Sequence, residues 1–258
     1  MKWKRYGVTL AVVTAGVMIT AWACKEKEAP TTPAPGEKMS FYFGMPVQPV
    51  YSKSVVEGHE SAYDFPPALQ FDLVRHDFVI KNTTAEPLEL RKVESCCGSL
   101  VENYSRQIPP GQEGVISIVL LTDRRGGTEI KGVVHAVTNH KTHPDLTIHI
   151  SCPVKKFADI SVHKIMLDGS CSQDVAGDSV VIPAPEYPFT ITGIKAKKGL
   201  DIAYAYAEVE TEGRKGYRIT ARSIRKTGGP IRDTLYIQTD NPARPEFIIR
   251  VQGKISGC

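Results

Sequence analysis

Sliding the chain against itself by 101 residues brings Pro87 onto Pro188, Leu88 onto Phe189, Leu90 onto Ile191, Val93 onto Ile194 and Gly98 onto Gly199. The same shift, without a gap, carries Ile118 onto Ile219, Ile130 onto Ile231, Val134 onto Leu235, Ala136 onto Ile237, Thr138 onto Thr239 and Pro144 onto Pro245. It ends by placing Leu146 on Phe247, Ile148 on Ile249 and Ile150 on Val251. Apolar positions fall on apolar positions and turn residues on turn residues, which composition alone does not produce over so long a stretch. A chain built this way folds as two copies of one unit.

The unit itself is legible between Phe78 and Val119. Val79, then Leu88, Leu90 and Val93, alternate with polar neighbours on either side of the turn Asn82-Thr83-Thr84-Ala85-Glu86-Pro87, the pattern of a β-meander. A Cys96-Cys97-Gly98 corner follows. Ile108-Pro109-Pro110-Gly111 then takes the backbone out of the sheet before Val115, Ile116 and Ile118 begin another strand, because proline fixes φ and lacks an N–H. No amphipathic stretch of helical period competes. Two units of about 100 residues with short strands and Gly/Pro punctuation predict an all-β fold of two tandem immunoglobulin-like β-sandwich modules, at 61–155 and 156–258, after an N-terminal segment. Interfaces between domains of one chain are commonly small, so each module is expected to melt on its own.

Residues 1–23 carry a charged head, Met1-Lys2-Trp3-Lys4-Arg5-Tyr6, an apolar run from Gly7 to Ala21, and Trp22-Ala23. This is the head and core of a secretory signal, too short for a comfortable membrane span. Directly after Cys24 the chain becomes charged and Pro-rich, so 24–60 is expected to act as an extended tether and linker. The combination resembles a bacterial lipoprotein precursor, in which the cysteine after a small residue is acylated. That resemblance implies lipidation at Cys24 and membrane attachment through it. It also implies residence in the cell envelope of a Gram-negative bacterium, facing the periplasm. Lys25 rather than Asp after the cysteine points, by analogy with enteric sorting, to the outer membrane.

The formal charge is +4, but Lys2, Lys4 and Arg5 supply three of these charges, so the remainder stands at +1 with both signs interspersed. That is a solvated surface and excludes a phosphate-tracking stripe, so no nucleic-acid partner is expected. Nucleophile elbow, phosphate loop, dinucleotide fingerprint, zinc-protease helix and haem-attachment motifs are all missing. Gly126-Gly127 and Gly228-Gly229 read as turns between strands, and Glu208 and Glu210 alternate on one strand face, which makes them solvent-facing. No catalytic residue, resident cofactor or small-molecule substrate is expected.

The first copy, with His76-Asp77-Phe78, Asn82, Glu86-Pro87-Leu88, Ser95-Cys96, Pro109-Pro110-Gly111 and Val137-Thr138-Asn139, resembles the bacterial domain-of-unknown-function family 1573 over roughly 61–153. That family is an Ig-like sandwich related to the ASH and major-sperm-protein modules, and it brings no established activity. Its usual Ser-Cys-Gly-Cys corner reads here Ser95-Cys96-Cys97-Gly98-Ser99, with the glycine and second cysteine displaced. The second copy keeps the apolar skeleton and Thr239-Asp240-Asn241 but has lost the cysteine corner and the Pro-Pro-Gly turn.

Beyond Cys24 five cysteines remain, an odd number in an oxidising compartment. Cys171 follows the first strand of module two and Cys258 follows its last, and such strands lie near each other in sandwiches, so a Cys171–Cys258 staple is one expectation. Cys152 could bond Cys96 or Cys97, leaving one thiol over; the corner is then a structural one with one member bridged. The alternative for Cys96 and Cys97 is a redox or soft-metal site. His135, His140, His143 and His149 cluster about the last hairpin of module one. Pairing Thr138 with Leu146 would set His135 opposite His149 on the outer face, where two imidazoles without a third ligand are more often merely solvated, so no metal is expected.

Two functions follow from these readings. The first is a non-catalytic envelope lipoprotein whose tandem modules bind or organise other envelope proteins through strand edges and loops. The second is a periplasmic thiol- or metal-handling protein using Cys96, Cys97 and the His135/His149 hairpin.

Overall fold

The computed structural model describes residues 50–257. The signal, Cys24 and most of the tether lie outside the described residues, as does Cys258. The first half contains β1 (Val50–Val56), β2 (Glu60–Asp64), β3 (Ala68–Leu69), β4 (Leu73–Lys81), β5 (Leu88–Ser95), β6 (Ser99–Tyr104), β7 (Gln107–Ile108), β8 (Glu113–Leu121), β9 (Thr128–Thr138) and β10 (Asp145–Lys155). The second contains β11 (Ala158–Ile160), β12 (Lys164–Met166), β13 (Gly169–Ser170), β14 (Ala176–Pro183), β15 (Ile191–Ala196), β16 (Ile202–Thr211), β17 (Arg214–Ser223), β18 (Gly229–Thr239) and β19 (Glu246–Ser256).

The fold is all-β, and each half layers two sheets. In the first half β1-β4-β8-β6 faces β2-β10-β9-β5-β7, with β3 also on β10. Phe78, Ile116 and Ile118 from one sheet meet Leu90, Val134 and Ile148 from the other in one buried cluster. In the second half β11-β14-β17-β16 faces β12-β19-β18-β15, with β13 also on β19, and Val181 and Ile219 meet Ile191, Leu235 and Ile249. Alternation of apolar and polar residues along each strand puts one set inside, as on β9, where Ile130, Val134 and Ala136 are buried.

The repeat survives in detail. β9 and β18 begin and end 101 residues apart, and so do β10 and β19. A bulge on β5 between Leu90 and Lys92 recurs on β15 between Ile191 and Gly193. Thr138 Oγ1 donates to His143 O, and Thr239 Oγ1 donates to Arg244 O. Asn139 both accepts from Glu89 N through Oδ1 and donates to Pro87 O through Nδ2. In the second half these two roles are split, because an aspartate cannot donate: Asp240 accepts from Thr190 N, and Asn241 donates to Pro188 O.

The segment from Phe78 to Val119 is not a meander. β4 and β5 lie in different sheets, as do β5 and β6, so the Asn82–Pro87 turn and the Cys96–Gly98 corner both carry the chain from one layer to the other. Buried Asn82 makes the first crossing possible: its Nδ2 donates to Glu86 O and Ile108 O, and its Oδ1 accepts from Thr84 N. Val50–Val56, assigned to the linker from sequence, is a strand, and it pairs in parallel with β4. Ser52 and Ser54, alternate residues on one face of β1, reach the two ring nitrogens of buried His76 at 2.7 and 2.8 Å.

The halves meet over an apolar and hydrogen-bonded interface rather than a small one. Phe71, Leu73 and Val119 of the first half belong to the same buried cluster as Phe157, Ala158 and Phe247 of the second. Phe71 stacks on Phe247 with ring centroids 5.2 Å apart. The Gln70 side chain, also buried, accepts from Phe157 N and Ala158 N and donates to Asp123 O. Arg244 donates to Asp72 and Arg250 pairs with Asp123 at 3.2 Å. Separating the modules would expose a buried cluster shared by both and several buried polar groups, which favours one cooperative unfolding over the independent melting expected from sequence.

Candidate functional site

Two features of the surface are candidates for chemistry or recognition: the cysteine corner of the first half and the edge strand of the second. At the corner, Cys96 N donates to Val133 O, and Ser99 Oγ donates to Cys96 O. Cys97 has φ of 66° and Gly98 φ of 110°, the left-handed region in which glycine is at ease and cysteine is not. The corner sits tight against β9 because residue 132 is glycine: a Cβ there would stand 2.9 Å from Cys96 O. The second half solves the same corner differently. Lys197 and Lys198 replace the cysteines, and Asp233, at the position of Gly132, accepts from Lys198 N and Gly199 N through its two carboxylate oxygens.

Cys96 and Cys97 are exposed and unbonded, and Cys152 is buried and unbonded. The expected bond from Cys152 to the corner is not formed. Cys152 pairs with Ile130 on β9 while Cys96 bonds at Val133, three residues along the strand, or roughly 10 Å, well beyond disulfide reach. Cys152 instead faces inward with its Sγ 3.8 Å from Pro66 O, and burial raises its thiol above the ordinary range. At the corner the hydrogen bond shared with Cys96 is the main cause that raises the Cys97 thiol, while Arg125 opposes it. Cys171 is disulfide-bonded. Its backbone N donates to Ser256 O at 3.3 Å, at the end of β19 and two residues before Cys258, which lies outside the described residues.

Cys96 and Cys97 line a groove of about 350 Å³ together with Asp64, Lys131 and His149. His149 does not face His135 across the hairpin: it opposes Val133, and His135 opposes Thr147. Thr138 N bonds Pro144 O rather than reaching Leu146, so the register is slipped by two residues; both imidazoles stay on the outer face, because side chains alternate with period two. Each turns to a carboxylate, His135 to Asp145 at 3.0 Å and His149 to Glu60 at 3.6 Å. His140 and His143 instead share the loop end with His59, whose ring stacks on that of His143 at 4.0 Å. Among the described residues no group of three or more His, Cys, Asp or Glu is arranged to hold a metal ion.

The second feature is β16. Its hairpin with β17 closes on Glu212-Gly213, whose φ values of 53° and 72° are those of a two-residue type I′ turn, so ten residue pairs run from Thr211–Arg214 to Ile202–Ser223 without a bulge. In the first half the Ile108-Pro109-Pro110-Gly111 excursion stands in place of this turn, and the matching edge strand β6 has six residues and a bulge between Val101 and Asn103. Bulges and shortness are how sheets blunt their edges. β16 has neither protection and is the longest edge strand among the described residues. Ala203, Ala205 and Ala207 are exposed on one face; on the other, Tyr204 and Tyr206 are 37% and 41% exposed. The tyrosines also cap the opposite sheet, since Ala196 N donates to Tyr204 Oη and Tyr206 Oη donates to Ile191 O. The signal that could have found this edge was the repeat itself: ten alternating residues around Glu-Gly stand where the first copy has a Pro-Pro-Gly break.

None of the curated proteins matches the chain. Among solved structures it is similar to a protein of unknown function from Porphyromonas gingivalis W83, at 10% identity and a TM-score of 0.32, covering 74% of this chain and 95% of that one. It is also similar to the secreted serine protease VesC from Vibrio cholerae, at 8% identity and a TM-score of 0.30, covering 63% of this chain and 45% of that one. Residues 56–152 match the model of the family described as "Protein of unknown function (DUF1573)", the family that the motifs of this segment resemble.

Proposed function

We propose that the chain is a non-catalytic lipoprotein of the cell envelope, held to the membrane by acyl chains on Cys24 and facing the periplasm, whose β16 edge takes up a strand of another envelope protein. Support comes above all from one observation: β16 offers an unbulged ten-residue edge with no strand among the described residues on its outer side. Strand addition draws affinity from main-chain hydrogen bonds and specificity from alternate side chains, here the exposed alanines and tyrosines. The buried cluster that spans both halves supports the sheet that carries this edge, which suits a module that stands on a tether.

A photo-crosslinking residue placed at Ala203 in the cells that make the protein tests this. A discrete adduct with a second polypeptide is expected from Ala203 and not from the same residue at Glu129, which lies on the exposed face of a central strand. Equal labelling from both positions, or none from Ala203, would remove the docking edge. A Cys24→Ala variant is expected to leave the membrane fraction, and its retention would remove the anchor.

Thiol handling at Cys96 and Cys97 has one observation in its favour, the exposure of both thiols on one wall of the groove. The raised Cys97 thiol works against it, since the thiolate is the attacking species.

A further inference from the structure

We propose that the strand added to β16 is the β16 of a second copy of this chain, running antiparallel about a two-fold axis through Ala205. This rests on β16 being the docking edge proposed above, and it names the partner. A two-fold contact must be self-complementary, so the charge sequence of the edge decides whether a copy fits.

The edge is polarised. Exposed Lys197 and Lys198 precede it, and exposed Glu208, Glu210 and Glu212 fill its far end. None of these five side chains forms an ion pair among the described residues. An antiparallel copy sets the basic end of one strand beside the acidic end of the other, twice over. A parallel copy would set Glu208 against Glu208 and Glu210 against Glu210, and like charges directly opposed are destabilising. Charge thus selects the antiparallel arrangement.

The central residues fit the same axis. With Ala205 opposite itself, Ala203 faces Ala207 of the second copy and Tyr204 faces its Tyr206. Cross-strand aromatic pairs stabilise a sheet, and three small residues in a row on the other face let the backbones approach. Each four-stranded sheet β11-β14-β17-β16 becomes half of one continuous sheet, and the alternate N–H and C=O groups that β16 turns away from β17 gain partners.

Because Ala205 opposes itself only in this register, one position tests the arrangement. The full chain is dispersed in density-matched detergent, and its mass is measured by sedimentation. Wild type is expected to be dimeric. Ala205→Lys and Ala205→Glu, exposed substitutions on a strand that remains paired to β17, should each raise the dimer dissociation constant about fivefold or more. An equimolar mixture of the two should restore or exceed wild-type dimerisation. A monomeric wild type, or a dimer indifferent to both substitutions, overturns the proposal. If the wild type is monomeric while crosslinking from Ala203 in cells yields an adduct with a different protein, the second copy is excluded and the docking edge stands. If no adduct forms, both fall.

Discussion

Arg244, 1% exposed, reaches from the loop between β18 and β19 into the turn between β3 and β4 and donates to the carboxylate of Asp72, 172 residues away in the chain. Asp72 also accepts from Leu69 N and so holds the turn in which Phe71 takes a φ of 72°. Replacing Arg244 by Ala leaves that carboxylate without its cation at a closed interface. A loss of about 3 kcal/mol is expected, read from urea unfolding. The whole chain should still unfold in one transition, moved as a unit. Two resolved transitions, with only one displaced, would contradict a shared core.

Leu90 and Ile191 occupy the same bulge in the two halves and are buried to a similar degree. Either substitution to Ala is expected to cost about 2–5 kcal/mol, and each should shift the same transition. A substitution that left fluorescence from the other half unshifted would show that the cores are energetically separate.

The equivalence of these residues was legible in sequence because core positions obey a strict alternation that two copies must share. The hairpin register was not. The sequence placed its polar loop two residues too long, since only the bond from Thr138 N to Pro144 O fixes where the ladder starts. Arg244 was invisible for another reason. At the position of exposed His143 it reads as one more solvated charge, and burial of an arginine depends on a carboxylate that only the folded chain brings near. Free Cys96, Cys97 and Cys152 likewise escaped an even-number argument, because the distance between them is set by strand register and not by cysteine count.

His76 makes stability depend on pH. Burial lowers its pKa from 6.5 to about 4, with Asp77 opposing in part. The unfolded chain takes up this proton near 6.5 and the folded chain only near 4. The contribution of His76 is therefore fully present above 6.5 and is lost as pH falls through that window, on the order of 2–3 kcal/mol after allowance for screening. His76→Gln, which can still bond Ser52 and Ser54, should flatten the decline in urea midpoint between pH 7 and 4.5. An unchanged decline would place the acid sensitivity elsewhere.

Gly253 permits the close approach of the backbone that links β12 to β13: a Cβ there would stand 2.1 Å from Leu167 O and 2.4 Å from its carbonyl carbon. Backbone cannot swing aside as a long side chain can. Gly253→Ala is expected to cost about 3 kcal/mol by thermal unfolding, while Gly213→Ser, at a turn with open space, should cost less than half of that. Equal costs would refute the close approach.

Thiol labelling should follow exposure. Native protein is expected to take reagent at Cys96 and Cys97 and not at buried Cys152, which should react only after unfolding, as peptide mass mapping would show. Prompt labelling of Cys152 under native conditions would contradict its place in the core.

The most direct test of the docking edge is residue-resolved amide hydrogen exchange over Ile202–Thr211, compared between native membranes and the dispersed, highly diluted chain. β17 protects every second amide of β16 in either state. The alternate amides, which point away from β17, should be protected in membranes and exchange rapidly on dilution. Rapid exchange of that alternate set in both states would mean that nothing pairs with β16, and the account of this chain as a strand-docking module would be wrong.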